Sequence, residues 1–408
     1  MTLPGNLAYF ELPTPLYLID QSSLLANARI LDQVRQASGC KILLAQKAFA
    51  CHPLYPLLTP YLDGAASSGL YEARLAREGM GDQAQVHVYA PAFKDEEFDQ
   101  LLGMADALVF NSFDQWDKYR AKVLEHNLTG DRQISPGLRI NPGYSEVKVP
   151  LYNPAGPHSR MGEAAQAFKE GLARGRFQGL AGLHFHSLCQ EDAGALARTL
   201  EAIRTAFGDW PRGLSWINFG GGHHITRPGY DLDRLVTLIK ETQEETGAQV
   251  YLEPGEAVAL NAGWLLSEVL DIFRPQEGIV AILDSSPACH MPDVLEMPYR
   301  PEAFLLPAPQ RAGKASSCYP GQLPGQEPYT VTLAGPSCLA GDQIGSYAFA
   351  SPPLPGDRIA FSDMAIYTMV KNNHFNGIPL PAIAVRDGQG QVKILKAFGY
   401  EDFKSRLG

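Results

Sequence analysis

Between residues 41 and 255 the chain alternates two textures. Short apolar runs come first: KILLAQ (41–46), YLDGAA (61–66), VHVYA (86–90), ALVF (107–110), GLRIN (137–141), GLAGLHFH (179–186), SWINFG (215–220) and VYLEPG (250–255). Between them lie segments whose apolar positions recur every three to four residues: YEARLAREGM, DEEFDQLLGM, SFDQWDKYRAKVLEH, EAAQAFKEGLARG, AGALARTLEAIRTAF and DLDRLVTLIKETQEET. The first texture predicts buried strands and the second predicts amphipathic helices. Eight strands alternating with helices predict an α/β fold, a (β/α)8 TIM-type barrel. A doubly wound open sheet is the competing architecture, but no GxGxxG opens a first helix as such nucleotide-binding sheets require.

After about residue 265 helical periodicity almost vanishes. SEVLDIF, GIVAILDSS, YTVTLAG, DRIAFSD, PAIAVRD and QVKILKAF are short β-like runs set between Pro- and Gly-rich turns. They predict a C-terminal β domain, and PTPLYLID at residues 13–20 reads as a strand that joins it. The expected domains are therefore 21–264 for the barrel and 1–20 with 265–408 for the β domain. Residues 300–328, rich in Pro and Gly, read as a long loop or hairpin excursion.

Composition narrows the classes. With 408 residues, 45% hydrophobic and 19% charged, the chain buries a large core, and its formal net charge of -10 removes the basic excess that nucleic-acid binding needs. That charge favours cationic small molecules. The first ten residues carry no basic segment leading into an apolar run, and no later stretch approaches the ~20 apolar residues of a membrane span. A soluble, cytoplasmic protein with no membrane or nucleic-acid partner is expected. Six scattered cysteines (Cys40, Cys51, Cys189, Cys289, Cys318 and Cys338) lack CxxC spacing, so reduced thiols and no metal site are expected.

In a (β/α)8 barrel the chemistry gathers at the C-terminal ends of the strands. Lys47 closes the first strand, His186 the sixth, Gly220, Gly221 and Gly222 follow the seventh, and Glu253 closes the eighth. Each has an ordinary reading: a strand-end lysine in water, a packing histidine, a flexible turn, a loop carboxylate. Together they describe something narrower. An amine among apolar residues needs a specific partner; three residues without Cβ let backbone N–H groups surround a phosphate; a carboxylate can keep an aromatic ring nitrogen protonated. That set points to pyridoxal 5'-phosphate held as a Schiff base by Lys47.

At these residues the chain resembles the alanine racemase-like (fold type III) pyridoxal-phosphate decarboxylases, the group that includes ornithine and diaminopimelate decarboxylases. The motifs run nearly end to end: TPLYLID, LAQKAFA, GLHFHSLC, NFGGGHH, LEPGEA, HMPDVLEMPYRP, GPSCLAGD and DMAIYTMVKNNHFNG. Their order is nearest to members that act on carboxylated polyamines. The resemblance implies that Lys47 carries the cofactor, His186 stacks on its ring, Gly220 to Gly222 and Tyr367 bind its phosphate, and Glu253 meets the ring nitrogen. It further implies that Cys338 protonates the intermediate, Asp342 helps hold the substrate amine, and Asp63 and Arg139 support the cofactor. A homodimer is implied in which GPSCLAGD enters the neighbouring subunit's site. Two departures matter. Where relatives read EPGR this chain reads EPGE, so Glu256, with Asp293, is expected to face a cationic polyamine tail; and Cys189 replaces the serine that usually follows the stacking histidine by three. The readings left open are a decarboxylase of another amino acid such as diaminopimelate, a racemase, and a non-catalytic carrier of the same cofactor.

Overall fold

The computed structural model describes residues 8–311 and 318–408. It divides into two compact units, Leu25–Val258 on one hand and the described residues up to Leu24 with Ala259–Gly408 on the other. The barrel unit is narrower than the expected 21–264. The chain from Gly263 onward forms a strand that pairs with Leu16–Ile19, so it belongs with the N-terminal residues.

That N-terminal strand is β1 (Leu16–Asp20). The barrel follows with β2 (Lys41–Ala45), β3 (Gly64–Ser67), β4 (Gln85–Tyr89), β5 (Ala107–Phe110), β6 (Ser135–Asn141), the two-residue β7 (Glu163–Ala164) beside the end of β6, β8 (Gly182–His184), β9 (Trp216–Asn218) and β10 (Gln249–Leu252). All eight expected strands are present. They pair in parallel in the ring order β2, β3, β4, β5, β6, β8, β9, β10, and β10 closes on β2. Helices lie between them as their periodicity predicted, three of them capped by Ser112, Asp192 and Asp231, whose side chains accept a backbone N–H at the first turn.

Side chains alternate along a strand, so one parity of each strand fills the barrel. Leu43, Ala66, Tyr89, Ala107, Val109, Trp216 and Tyr251 form that inner cluster. The Trp216 indole fits because Gly137 and Gly182 face it: a Cβ on either would come within 2.2 Å of the ring. Its Nε1–H donates to Ser135 Oγ at 2.8 Å. The same parity, kept to Arg139 within β6 and continued past the ends of β2, β8 and β10, brings Lys47, Arg139, His186 and Glu253 inward above this plug.

The second unit is a ten-stranded sheet. Its strands after β1 are β11 (Gly263–Phe273), β12 (Val280–Leu283), β13 (Ala303–Leu306), β14 (Tyr319–Pro320), β15 (Tyr329–Ala334), β16 (Gln343–Phe349), β17 (Arg358–Ser362), β18 (Ala382–Arg386) and β19 (Val392–Lys396). As expected, β1 joins it, antiparallel to β11 and parallel to β18. Tyr17, Leu265, Leu283, Leu305, Tyr347, Phe349 and Phe361 are among its core residues. The 300–328 excursion contains the β13–β14 pairing, Leu305 opposite Tyr319, with residues 312–317 outside the described part. Sequence pattern missed β16, because Gly345 and Ser346 interrupt its apolar alternation. Among the described residues no helix is long and apolar enough to cross a membrane, and no group of His, Cys, Asp and Glu side chains is arranged to hold a metal ion.

Candidate active site at the barrel mouth

Lys47 stands two residues beyond β2, on a backbone that its neighbour fixes. Buried Gln46 donates to Ser67 Oγ and to Glu72 O, both at 2.8 Å, and accepts from the Tyr55 hydroxyl at 2.9 Å. The chain turns at once, with Ala48 N–H donating to Ala45 O. Lys47 is therefore held facing into the mouth, where its amine remains open to solvent while protein surrounds it. Its pKa is lowered, first by that desolvating surround and then by Arg139, against the opposing pull of Glu253. Lys47 Nζ lies 3.5 Å from His186 Nε2.

The glycine turn after β9 is dictated by crowding. Gly220 and Gly222 have φ of +69° and +83°. A Cβ at Gly220, Gly221 or Gly222 would come within 2.5 Å of the carbonyl oxygen of Phe185, Glu253 or Leu188 respectively. Side chains are thus excluded at all three positions. Two of the three amides are committed within the protein, since Gly220 N–H donates to Asn218 Oδ1 and Gly221 N–H to His186 Nδ1, each at 2.8 Å. The turn provides room and close approach, and in this structure Gly220 and Gly221 direct their donors at orienting neighbours. Cys189 follows Leu188, whose carbonyl packs against Gly222.

His186 is pushed well below its ordinary pKa by burial, then by Lys47 and Arg139, so it is neutral. Since Gly221 N–H can only donate, Nδ1 holds the lone pair and Nε2 the proton. Arg139 Nη2 donates to His186 O at 3.2 Å, and its guanidinium lies over the Tyr89 ring, 4.4 Å from the centroid.

Glu253 faces the same cavity, which Lys47, Tyr89, Arg139, His184 and His186 also line. Burial acts to raise its pKa, but His184, His87 and the Asn218 amide together outweigh that and hold it down to about 2. Asn218 Nδ2 donates to Oε1 at 2.7 Å, and His184 Nε2 is 3.2 Å from Oε2. His184 in turn stacks on Tyr89, centroids 5.6 Å apart and planes 21° from parallel. Sequence reasoning missed His184, Asn218 and Tyr89. The signal was available in parity: in GLHFH, residues 184 and 186 fall on one face of the strand, and in WINFG so do Asn218 and Gly220.

The remaining sequence-derived candidates have the following local surroundings. Asp63 does not reach the mouth. It precedes β3 and accepts from Ile42 N–H and from Lys41 Nζ, both at 2.9 Å, which puts it at the N-terminal end of the barrel, opposite Lys47. The run YLDGAA begins before its strand does, and that offset moved Asp63 to the wrong end. Glu256 accepts from Gln190 Nε2 at 2.8 Å and lies 3.3 Å from His224 Nε2. Asp342, in the β unit, is 3% exposed and accepts from Ser286 Oγ and Ala288 N–H at 2.8 and 2.9 Å, so its carboxylate braces a turn rather than standing open. Asp293 is likewise not an open anion, because Lys371 Nζ donates to it at 2.5 Å. Cys338 is exposed, its backbone N–H fixed by Asn376 Oδ1 at 2.8 Å. Tyr367 caps the helix Thr368–Lys371 with φ of +48°, an unfavourable backbone for a bulky residue.

Comparison with known proteins gives three concordant findings. The family model described as "Pyridoxal-dependent decarboxylase, C-terminal sheet domain" matches residues 16–365. The carboxynorspermidine/carboxyspermidine decarboxylase of Campylobacter jejuni is 38% identical, over 98% of this chain and 99% of that protein; the carboxyaminopropylagmatine decarboxylase of a Synechocystis species is 39% identical, over 98% and 96%. The crystal structure of carboxynorspermidine decarboxylase complexed with norspermidine from Campylobacter jejuni superposes with a TM-score of 0.83 at 37% identity, covering 97% of this chain and all of that one.

Proposed function

This chain belongs to the pyridoxal-dependent decarboxylases, and we propose that its substrate is a carboxylated polyamine, carboxynorspermidine or carboxyspermidine, which it converts to norspermidine or spermidine. The observation that carries this choice is the match to the Campylobacter enzyme over essentially both full lengths. The residues at the mouth fit pyridoxal 5'-phosphate: an amine, a turn from which every Cβ is excluded, a flat imidazole and an ionised carboxylate with unused lone pairs line or border one cavity.

The reaction breaks the bond from the α-carbon to the carboxylate, releases carbon dioxide and adds one proton to that carbon. When bound, the cofactor supplies an aldehyde for the substrate's amine and a ring that takes up the electron pair left behind. The chain's own residues supply the rest. Lys47, with its lowered pKa, would hold the cofactor through a neutral amine. Glu253 holds a proton at the ring nitrogen, which a neutral ring would lack. His186 presents a flat neutral face, Gly220 to Gly222 and Tyr367 would accommodate the phosphate, and Arg139 would support the cofactor with its positive charge. Cys338 is the acid that protonates the α-carbon.

The exposure of Cys338 and of Leu339 beside it, 44% exposed, supports a homodimer in which each protomer lends this loop to its partner's mouth. Six free thiols support a reducing compartment, the cytoplasm. Glu256 and the net charge of -10 support a cationic tail, and they disfavour diaminopimelate, whose second carboxylate Glu256 would repel. A second reading, decarboxylation of carboxyaminopropylagmatine, is favoured by the equally high identity to the Synechocystis enzyme. Carbon dioxide release from the four acids separates these readings. The proposal expects the highest kcat/KM on carboxynorspermidine or carboxyspermidine. A higher value on the guanidino substrate selects the second reading, and a higher value on diaminopimelate overturns both.

A further inference from the structure

Glu253 is the one carboxylate lining the barrel mouth among the described residues, and two side chains on neighbouring strands hold it. Asn218 on β9 donates to Oε1, and His184 on β8 sits 3.2 Å from Oε2. Each oxygen therefore keeps a lone pair for a donor in the cavity. His184 has no solvent to share its second nitrogen with: it is 1% exposed, and Nδ1 has no hydrogen-bond partner among the described residues. An imidazolium here would bury a second N–H with nothing to accept it, whereas a neutral ring leaves only a bare lone pair, the smaller penalty. The ring is clamped in orientation by its stack on Tyr89, itself tied by its hydroxyl to Asn111 Oδ1 at 2.7 Å.

We propose that His184 is a positioning residue for Glu253: a neutral imidazole fixed in its Nε2–H form, it donates to one carboxylate oxygen while Asn218 takes the other, keeping the carboxylate ionised and turned toward the cavity. The proposal rests on the reading that Glu253 meets the cofactor's ring nitrogen, and it adds that the ring nitrogen's proton depends on a histidine acting through Glu253. The other charged or titratable groups facing Glu253 are His87 on β4, Arg139 on β6 and Lys47 beyond β2. Among the described residues none of these donates a hydrogen bond to it, so His184 and Asn218 carry the positioning.

The test uses the holoenzyme and two NMR probes, the ¹³C shift of the Glu253 carboxyl and the ¹⁵N shift of a labelled cofactor ring. His184→Gln keeps a donor and is expected to leave both shifts at their native values. His184→Phe keeps the stack but removes the donor; the Glu253 carboxyl is expected to titrate at higher pH and the ring nitrogen to lose part of its protonation. Native shifts in His184→Phe overturn the proposal. Glu253→Gln probes the underlying reading separately: if the ring nitrogen is unchanged there, Glu253 does not meet it, whatever His184 does. Should His184→Phe not fold, the ¹⁵N spectrum of the native His184 ring decides. Neutral Nε2–H is expected, and an imidazolium or an Nδ1–H tautomer overturns the proposal.

Discussion

Gly221 donates its backbone N–H to His186 Nδ1 across 2.8 Å, and that bond decides which ring nitrogen of His186 carries a proton. The donor cannot be rotated away, because a turn held by glycines against three carbonyls has no alternative geometry. His186 is therefore a fixed, neutral surface beside Lys47 rather than an acid or base. Its ¹⁵N spectrum should show Nε2–H throughout the working range. Gly221→Ala should cost about 1–3 kcal/mol through overpacking and weaken cofactor binding. An alanine variant with native stability and cofactor affinity would contradict the crowding.

Lys47 should be the most reactive lysine at neutral pH, since desolvation and Arg139 favour its uncharged form. In cofactor-depleted protein an acylating reagent limited to one equivalent should mark Lys47 ahead of the surface lysines, as read by peptide mass. Random labelling would count against a lowered pKa.

Acid should destabilise the fold in a definite window. Burial lowers His87, His223 and His290 from 6.5 to about 4. Between those values the unfolded chain binds protons at these rings and the folded chain does not, so stability is complete above about 6.5 and falls as pH drops toward 4. Each ring contributes at most about 1.4 kcal/mol per pH unit. Urea midpoints should decline from neutral pH toward pH 5, and His223→Gln should reduce the slope. A flat profile would be the contrary result.

Glu256→Gln removes one negative charge that Gln190 and His224 now contact. A single charge contact is worth about 1 kcal/mol, so KM for the carboxylated polyamine should rise several-fold with cofactor affinity unchanged. An unaltered KM would remove Glu256 from substrate recognition.

Cys338→Ala should keep bound cofactor and lose about 10²–10⁴ in turnover, the range of a lost proton donor. Mixing inactive Lys47→Ala and Cys338→Ala proteins should restore activity through hybrid dimers in which one mouth has both groups. Failure of the mixture, with subunit exchange shown, would place both groups in one protomer.

Most of the fold was legible because buried strands read as short unbroken apolar runs while helices kept the 3.6-residue period across the barrel. The mouth was legible where a reactive residue stood at a strand end, as with Lys47, Arg139, His186 and Glu253. It failed where parity went unread, as with His184 and Asn218, and where a strand began later than its apolar run, as with Asp63. Asp342 and Asp293 misled for another reason: sequence reports a carboxylate but not the Ser286, Ala288 or Lys371 donors that occupy it. Strand β16 was hidden by the glycine and serine at its centre.

The central claim, that the cofactor is tethered at residue 47, is tested most directly by borohydride reduction of the holoenzyme followed by peptide mass mapping. The account predicts a pyridoxyl mass on the peptide containing Lys47, and none in Lys47→Ala. A reduced cofactor fixed on any other lysine, or none fixed at all, would contradict it.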